Sequence, residues 1–360
     1  MNEEASISRL IRVLVADDSA FMRTALTRMI ESEADIRVVA VAQNGRDAIE
    51  QVKLLQPDVV TLDVEMPELN GLETLQRIMA ECPRPVLMVS SLTQQGAETT
   101  LEALANGAFD YVPKQRSHVC LDIVKIQEDL VSKIRAAAES ARGKFAPRVN
   151  LVSAPHLSCT NFGRVPPRVV ALGTSTGGPR ALQQILPMLP EDLPIAVLVV
   201  QHMPPGFTAP FARRLDNLCR VSVREAEPND VVEPGVVYIA PAGSHMTVWH
   251  SHTGKKHLRI SDSPQDTLHT PSVDVMMLSV AEEFHDRCMG IIMTGMGADG
   301  LAGMQAIARE GGMTLGQNEE TCTVYGMPRS CAEAGILQRV VSLAQIPEQI
   351  LQATAYRRHA

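Results

Sequence analysis

The sequence predicts two α/β domains: an N-terminal doubly wound (βα)5 unit, and a C-terminal doubly wound parallel sheet with an added antiparallel hairpin. Three observations predict it. Short apolar runs alternate with helical spacing five times between residues 12 and 138. Residues 169–172 form an apolar run that passes through Gly173-Thr-Ser-Thr-Gly-Gly178 into a helical pattern, the mark of another buried parallel strand. The chain has 360 residues and is 45% hydrophobic, enough for two packed cores.

In the first domain, Val13-Leu-Val-Ala16 opens as a strand, and residues 19–31 carry helical spacing through Phe21, Ala25, Leu26, Met29 and Ile30. Further strands are expected at 38–41, 59–62, 86–89 and 109–112, and further helices at 47–55, 72–80, 99–105 and 121–138. Doubly wound sheets of this kind bind ligands at the carboxyl ends of their strands. Polar residues fall at those ends: Asp17 and Asp18 after strand one, Asp63 after strand three, Ser90 after strand four and Lys114 after strand five. An acid at a strand end can simply cap the next helix. Three converging carboxylates repel one another unless a cation sits among them, and oxygen donors suit Mg²⁺.

From residue 136 to 167 the periodicity fades. Pro147, Pro155, Pro166 and Pro167 with several serines give linker composition, and Arg142, Lys144, Arg148 and Arg164 make it basic.

In the second domain, Pro179 suits a first helical turn, so Ser175 lies where a strand gives way to a helix. Taken alone, this stretch fits a helix-capping serine and an acyl-transfer nucleophile about equally. Residues 195–200 form a second apolar strand that runs into His202, which puts His202 on the same sheet edge as Ser175. Residues 221–226, 236–240, 246–250 and 258–261 read as antiparallel strands, with Thr253-Gly-Lys-Lys256 as a turn. Residues 272–284 are helical, and 290–294 form a strand leading to Asp299. Asp299 fits an N-cap for a helix at 301–309, but it also completes a Ser, His and acid set on one edge.

Composition narrows the function. The net charge of −8 gives no support for bulk nucleic-acid binding. The seven scattered cysteines contain no C-x-x-C, which argues against zinc or a disulfide framework and for a cytoplasmic protein. The start of the chain, MNEEASISRL, is no secretory signal, and no apolar run reaches the about 18 residues of a membrane span. Gly173-Thr-Ser-Thr-Gly177 matches G-x-S-x-G, yet the order Ser175, His202, Asp299 differs from the Ser–acid–His order of α/β-hydrolases and excludes that scaffold.

Two resemblances cover nearly the whole chain. Ala16-Asp-Asp-Ser19, Leu62-Asp-Val-Glu-Met-Pro67 with Asn70-Gly-Leu72, Val89-Ser90 and Tyr111-Val-Pro-Lys114 resemble the response-regulator receiver domain. That resemblance implies that Asp63 accepts a phosphoryl group from a chemotaxis histidine kinase. It implies Mg²⁺ held by Asp18, Asp63 and the Glu65 carbonyl, with Asp17 acting through water. Lys114, Ser90 and Tyr111 are then the switch residues. Gln115 stands where receivers commonly place proline, and a cis bond there would cost about 2.5–4 kcal/mol, which disfavours the usual loop geometry.

Gly173-Thr-Ser-Thr-Gly-Gly-Pro179, Gln201-His-Met-Pro-Pro-Gly-Phe-Thr208, Ala240-Pro-Ala-Gly243 and Thr294-Gly-Met-Gly-Ala-Asp-Gly300 resemble the catalytic domain of the CheB protein-glutamate methylesterases. The resemblance implies a receiver at 1–135, a linker at 136–167 and a methylesterase domain at 168–360. It implies hydrolysis of glutamate γ-methyl esters on methyl-accepting chemotaxis receptors, with deamidation of receptor glutamines. Ser175, His202 and Asp299 would be catalytic, with Thr176 and Met296 supporting the oxyanion and no cofactor in this domain. It also implies that the unphosphorylated receiver covers the cleft, and that the protein is recruited to receptor arrays without inserting in the membrane. The alternative is a non-catalytic adapter, a receiver joined to a domain that docks on receptors or kinase. A transcriptional regulator lacks support because no basic recognition helix is present.

Overall fold

A computed structural model describes residues 10–91, 93–114, 120–145, 165–354 and 356 of the chain, without the side chains of 94, 120–125 and 142–145. It divides into two compact units, residues 1–149 and 150–360.

The first unit alternates strand and helix throughout. Its elements are β1 (Ile11–Ala16), α1 (Ala20–Glu31), β2 (Ile36–Ala42), α2 (Gly45–Leu55), β3 (Val59–Asp63), α3 (Gly71–Glu81), β4 (Val86–Ser91), α4 (Gln94–Ala105), β5 (Asp110–Lys114) and α5 (Cys120–Phe145). The sheet runs β2-β1-β3-β4-β5, all parallel. β3 is buried at all five positions, as a strand covered on both faces must be. Short polar side chains start the helices. Asn44, Asn70 and Thr93 accept from the backbone N–H groups of Asp47, Glu73 and Gly96 and fill otherwise orphaned donors. α4 begins five residues before the expected position, because its polar first turn hides the helical period. Pro113 lies within β5, an edge strand, where its missing N–H leaves the ladder intact. α5 runs through Phe145, so the first ten residues of the expected linker are helical. Gln115, Arg148 and Arg164 lie outside the described residues.

The second unit contains β6 (Val169–Thr174), α6 (Gly178–Ile185), β7 (Ala196–Gln201), α7 (Thr208–Asp216), β8 (Ser222–Glu225), β9 (Val236–Ile239), β10 (His245–His250) and β11 (Lys256–Ser261). After them come α8 (Val273–Phe284), β12 (Cys288–Ile292), α9 (Leu301–Arg309), β13 (Met313–Gln317), α10 (Met327–Glu333), β14 (Arg339–Val341) and α11 (Ile346–Ala353). Seven strands form one parallel sheet in the order β14-β13-β12-β6-β7-β9-β8.

This corrects the antiparallel reading of residues 221–226 and 236–240. β8 and β9 pair parallel to each other, and β9 also pairs parallel to β7. Among the described residues, only β10 and β11 form an antiparallel hairpin. The connection from β8 to β9 holds no helix, so nothing local signals a crossover. The chain leaves β6 in opposite directions through β7 and, later, β12. That reversal puts the switch point of the sheet at the carboxyl end of β6, where doubly wound folds open a crevice.

Among the described residues, no helix is long and apolar enough to cross a membrane.

Candidate active site

At the switch point the turn after β6 is built around Ser175. Its backbone N–H donates to Thr294 O at 3.0 Å, and its carbonyl accepts from Gly178 N at 2.8 Å and Gln201 Nε2 at 3.0 Å. Gly177 takes φ +79°, and a Cβ there would lie 2.3 Å from Thr323 Oγ1. Glycine is required on both counts.

Thr294 is the clasp of this region. Its carbonyl also accepts from Thr174 Oγ1 at 2.8 Å. Its hydroxyl donates to Thr176 O at 2.9 Å and accepts from Thr323 N and Val324 N at 3.1 and 3.0 Å. Thr174 and Thr176 are both buried, so the threonines flanking Ser175 fasten the turn rather than face solvent.

His202 follows β7, and its backbone N–H donates to Thr174 O at 3.2 Å, which fixes it beside the serine turn. Its Nε2 lies 2.8 Å from Asp299 Oδ2. Its Nδ1 is buried and has no hydrogen-bond partner among the described residues.

Asp299 caps a helix, but not the one that follows it. Gly300, at φ +100°, occupies the N-cap of α9 without a side-chain bond. Asp299 instead accepts from the start of α8: Val273 N at 2.7 Å on Oδ2, and Ser272 Oγ at 2.9 Å and Asp274 N at 3.0 Å on Oδ1. Asp274 Oδ1 in turn accepts from Gly303 N in α9 at 2.7 Å, so each helix start is capped by the other's acid. Burial opposes ionisation of Asp299, yet the hydrogen bond and charge of His202 and the N–H groups of Asp274 and Val273 hold its carboxyl well below the usual range. A carboxylate with only donors around it stays anionic, so His202 Nε2 is the protonated nitrogen.

The loop bearing Met296 closes against the serine. A Cβ on Gly295 would lie 2.9 Å from Ser175 Cβ and 2.2 Å from Met327 Sδ. Gly295→Ala is therefore expected to push Ser175 out of place and lower turnover by about 10²-fold, the usual cost of a displacement near 1 Å. Steady-state kinetics and circular dichroism on the same preparation check that the fold survives.

The first unit presents a second polar site. Asp17, Asp18 and Asp63 place carboxylate oxygens within 4.8 Å of one another at the ends of β1 and β3. Lys114 Nζ lies 2.8 Å from Asp17 Oδ2 and 2.7 Å from Asp63 Oδ2. Three carboxylates face one ammonium, and this all-oxygen set fits a hard divalent cation such as Mg²⁺. Burial pushes the Asp63 carboxyl up to about 6, with Asp17 adding to the rise and Lys114 opposing it. Glu65 N donates to Asp63 Oδ1 at 3.3 Å. Ser90 is buried, and its hydroxyl donates to Gly96 O in the first turn of α4 at 3.2 Å. Tyr111 is buried, with Lys133 Nζ 5.4 Å from its ring centre.

A raised carboxyl costs stability that accrues as pH rises from the ordinary 3.8 to the folded value of about 6 and is fully present above it, because the unfolded chain ionises it more easily. Asp63→Asn is expected to stabilise the first unit by roughly 1–3 kcal/mol at neutral pH. Thermal unfolding of the full chain reads this. Added Mg²⁺ should raise the transition of the unaltered protein and lose that effect in the variant.

Their strand-end positions single out Ser175, His202 and Asp299 as candidates, and the structure brings His202 beside the serine turn and onto Asp299. Sequence reasoning missed Thr294, Ser272 and the stacked ring of His269, whose roles depend on contacts between distant segments.

Comparisons with known proteins give a family for each unit. Residues 170–350 match the family model "CheB methylesterase", and residues 13–122 match "Response regulator receiver domain". Proteins named protein-glutamate methylesterase/protein-glutamine glutaminase are similar over nearly the full length. The one from Symbiobacterium thermophilum is 46% identical, covering 96% of this chain and 98% of its own. One from Oleidesulfovibrio alaskensis is 44% identical, covering 96% and 99%. Among solved structures, the Thermotoga maritima CheB methylesterase catalytic domain aligns with a TM-score of 0.51 at 39% identity, over 52% of this chain and 99% of that one.

Proposed function

We infer the function from one premise: this chain belongs to the CheB methylesterase family, with a response-regulator receiver domain ahead of the catalytic domain. It is a phosphorylation-activated protein-glutamate methylesterase and protein-glutamine glutaminase of chemotaxis. The adapter alternative has no support in its relatives, which are named as enzymes. Ser175, His202 and Asp299 carry the chemistry in this reading, and residues 168–360 form the catalytic domain, residues 1–145 the receiver with all of α5, and residues 146–167 the joint.

One observation carries the reading. An anionic Asp299 holds His202 at Nε2, at 2.8 Å, and leaves Nδ1 unpartnered on the sheet edge that also holds Ser175. With the proton on Nε2, the lone pair sits on Nδ1. As Ser175 Oγ attacks the ester carbonyl of a receptor glutamyl methyl ester, Nδ1 takes its proton. Asp299 stabilises the resulting imidazolium. The oxyanion is met by backbone N–H groups, Met296 and the Thr176 turn being the candidates. The intermediate collapses, the C–O bond to methoxide breaks, and His202 protonates the leaving methanol. Water then gives its proton to Nδ1 and attacks the acyl-serine. The receptor carboxylate departs and Ser175 recovers its hydrogen. With a glutamine substrate, ammonia leaves in place of methanol.

In the receiver, Asp63 accepts the phosphoryl group from the chemotaxis histidine kinase. Asp18, Asp63 and the Glu65 carbonyl would hold Mg²⁺, with Asp17 acting through water. The ion supplies positive charge against the phosphoryl oxygens. Lys114 pairs with a phosphoryl oxygen, and Ser90 and Tyr111 are the side chains that respond.

The test is methanol release from methylated receptor by the full chain, with and without a small-molecule phosphodonor and Mg²⁺. Release should be weak alone and rise with the donor. Asp63→Asn should keep the basal rate and lose the rise. No release in either condition, from protein shown to be phosphorylated, would overturn the reading.

A further inference from the structure

The imidazole of His269 stacks on that of His202, with ring centroids 4.1 Å apart and planes inclined by 25°. His269 lies in the segment joining β11 to α8, and this segment is tied down on both sides of it. His245, fully buried at the start of β10, binds Pro264 O through Nε2 at 3.0 Å and accepts from Ser272 N at Nδ1, 3.1 Å. Its Nε2 also lies 3.2 Å from Thr267 Oγ1. Gly243 N donates to Thr270 O at 3.2 Å. At its far end the segment enters α8, whose first donors hold Asp299. The element that seats the carboxylate thus also delivers the second ring.

A hydrogen bond at Nε2 alone lets the His202 ring tilt about the Nε2···Oδ2 line. A ring packed on its face removes that freedom. The two imidazoles cannot relay a proton, because their nitrogen lone pairs lie in the ring planes and stacked faces do not point them at each other. A neutral aromatic face also favours a cation against it, whereas a charged one repels it. Asp299 holds Nε2 of His202, Asp274 follows at the start of α8, and His245 binds the segment at residues 264, 267 and 272; Asp262 and Asp266 belong to the same segment of chain.

Resting on the catalytic reading above, we propose that His269 is a positioning residue: its neutral ring holds the face of His202 so that Nδ1 stays on Ser175, and it must be uncharged when His202 becomes imidazolium. Protonated His269 would then withdraw activity, adding a second ionisation to the acid limb of the pH profile.

The test compares His269→Ala and His269→Phe in the phosphodonor-activated full chain, reading kcat and KM for methanol release against pH. Alanine should lower kcat about three- to tenfold, the worth of one aromatic pair, with KM little changed. Phenylalanine should restore most of kcat. Its acid limb should fall with one proton, where the unaltered protein falls with two. An alanine variant with unaltered kcat, or a phenylalanine variant that keeps the two-proton limb, would overturn the proposal. If the alanine variant does not fold, the phenylalanine profile decides alone. Methanol release by the unaltered protein, absent in Ser175→Ala, separates failure of this proposal from failure of the catalytic reading.

Discussion

Ser175→Ala is expected to lose at least about 10⁴-fold in methanol release while keeping its fold and its receiver phosphorylation. The change removes one hydroxyl from a half-buried side chain. The bonds that shape the turn are made by the backbone of residue 175 and by Thr174, Thr176 and Thr294, and all of them survive. Stability should therefore move by less than about 0.5 kcal/mol. Chemistry has no such reserve. Without Oγ no acyl-enzyme forms, and only water polarised by the remaining oxyanion donors can attack. Single-turnover methanol release, with phosphorylation of Asp63 followed in parallel, makes the measurement. A variant that keeps its turnover would remove Ser175 from the mechanism.

Asp299→Asn is expected to damage both rate and fold. The two oxygens of Asp299 together accept from His202, Val273, Ser272 and Asp274. Whichever way the amide of asparagine points, its NH₂ faces a backbone N–H of α8. The loss of that bond, with donor against donor, should cost about 1–3 kcal/mol. If the NH₂ turns to His202, it donates to Nε2 and drives the proton to Nδ1, the wrong tautomer for a base toward Ser175. A fall of about 10³–10⁴ in kcat is expected.

The pH dependence follows from the depressed carboxyl. Its folded value lies below the ordinary 3.8, so its stabilisation is fully present above that value and is lost as pH falls toward the folded one. The stability gap between the two proteins should stay constant from neutral pH to about 4 and narrow below it. Denaturant unfolding at a series of pH values checks this. A gap that stays constant in acid would mean that Asp299 is not the ionised cap.

The local code was sufficient for much of this protein. Apolar runs and helical spacing mark the strand–helix alternation, because each element must bury one face wherever it later packs. Glycines 177 and 178 announce a turn that no side chain could follow. The strand ends single out Ser175, His202, Asp299 and the acids of the receiver as candidates, because a parallel sheet gathers its carboxyl ends on one edge.

Strand direction was not legible at β8 and β9. An alternating pattern is the same read in either sense, and a connection without a helix looks like a hairpin. Nor could the sequence say which helix Asp299 caps. Its neighbours in the chain favour α9, but α8 presents its donors from 25 residues away, and only packing puts them there. The Thr294 clasp, the crossed caps of α8 and α9, and the ring of His269 on His202 are likewise contacts between segments far apart in the chain. They arise only once the core has closed and fixed those segments in place, which is why tertiary structure alone decided them.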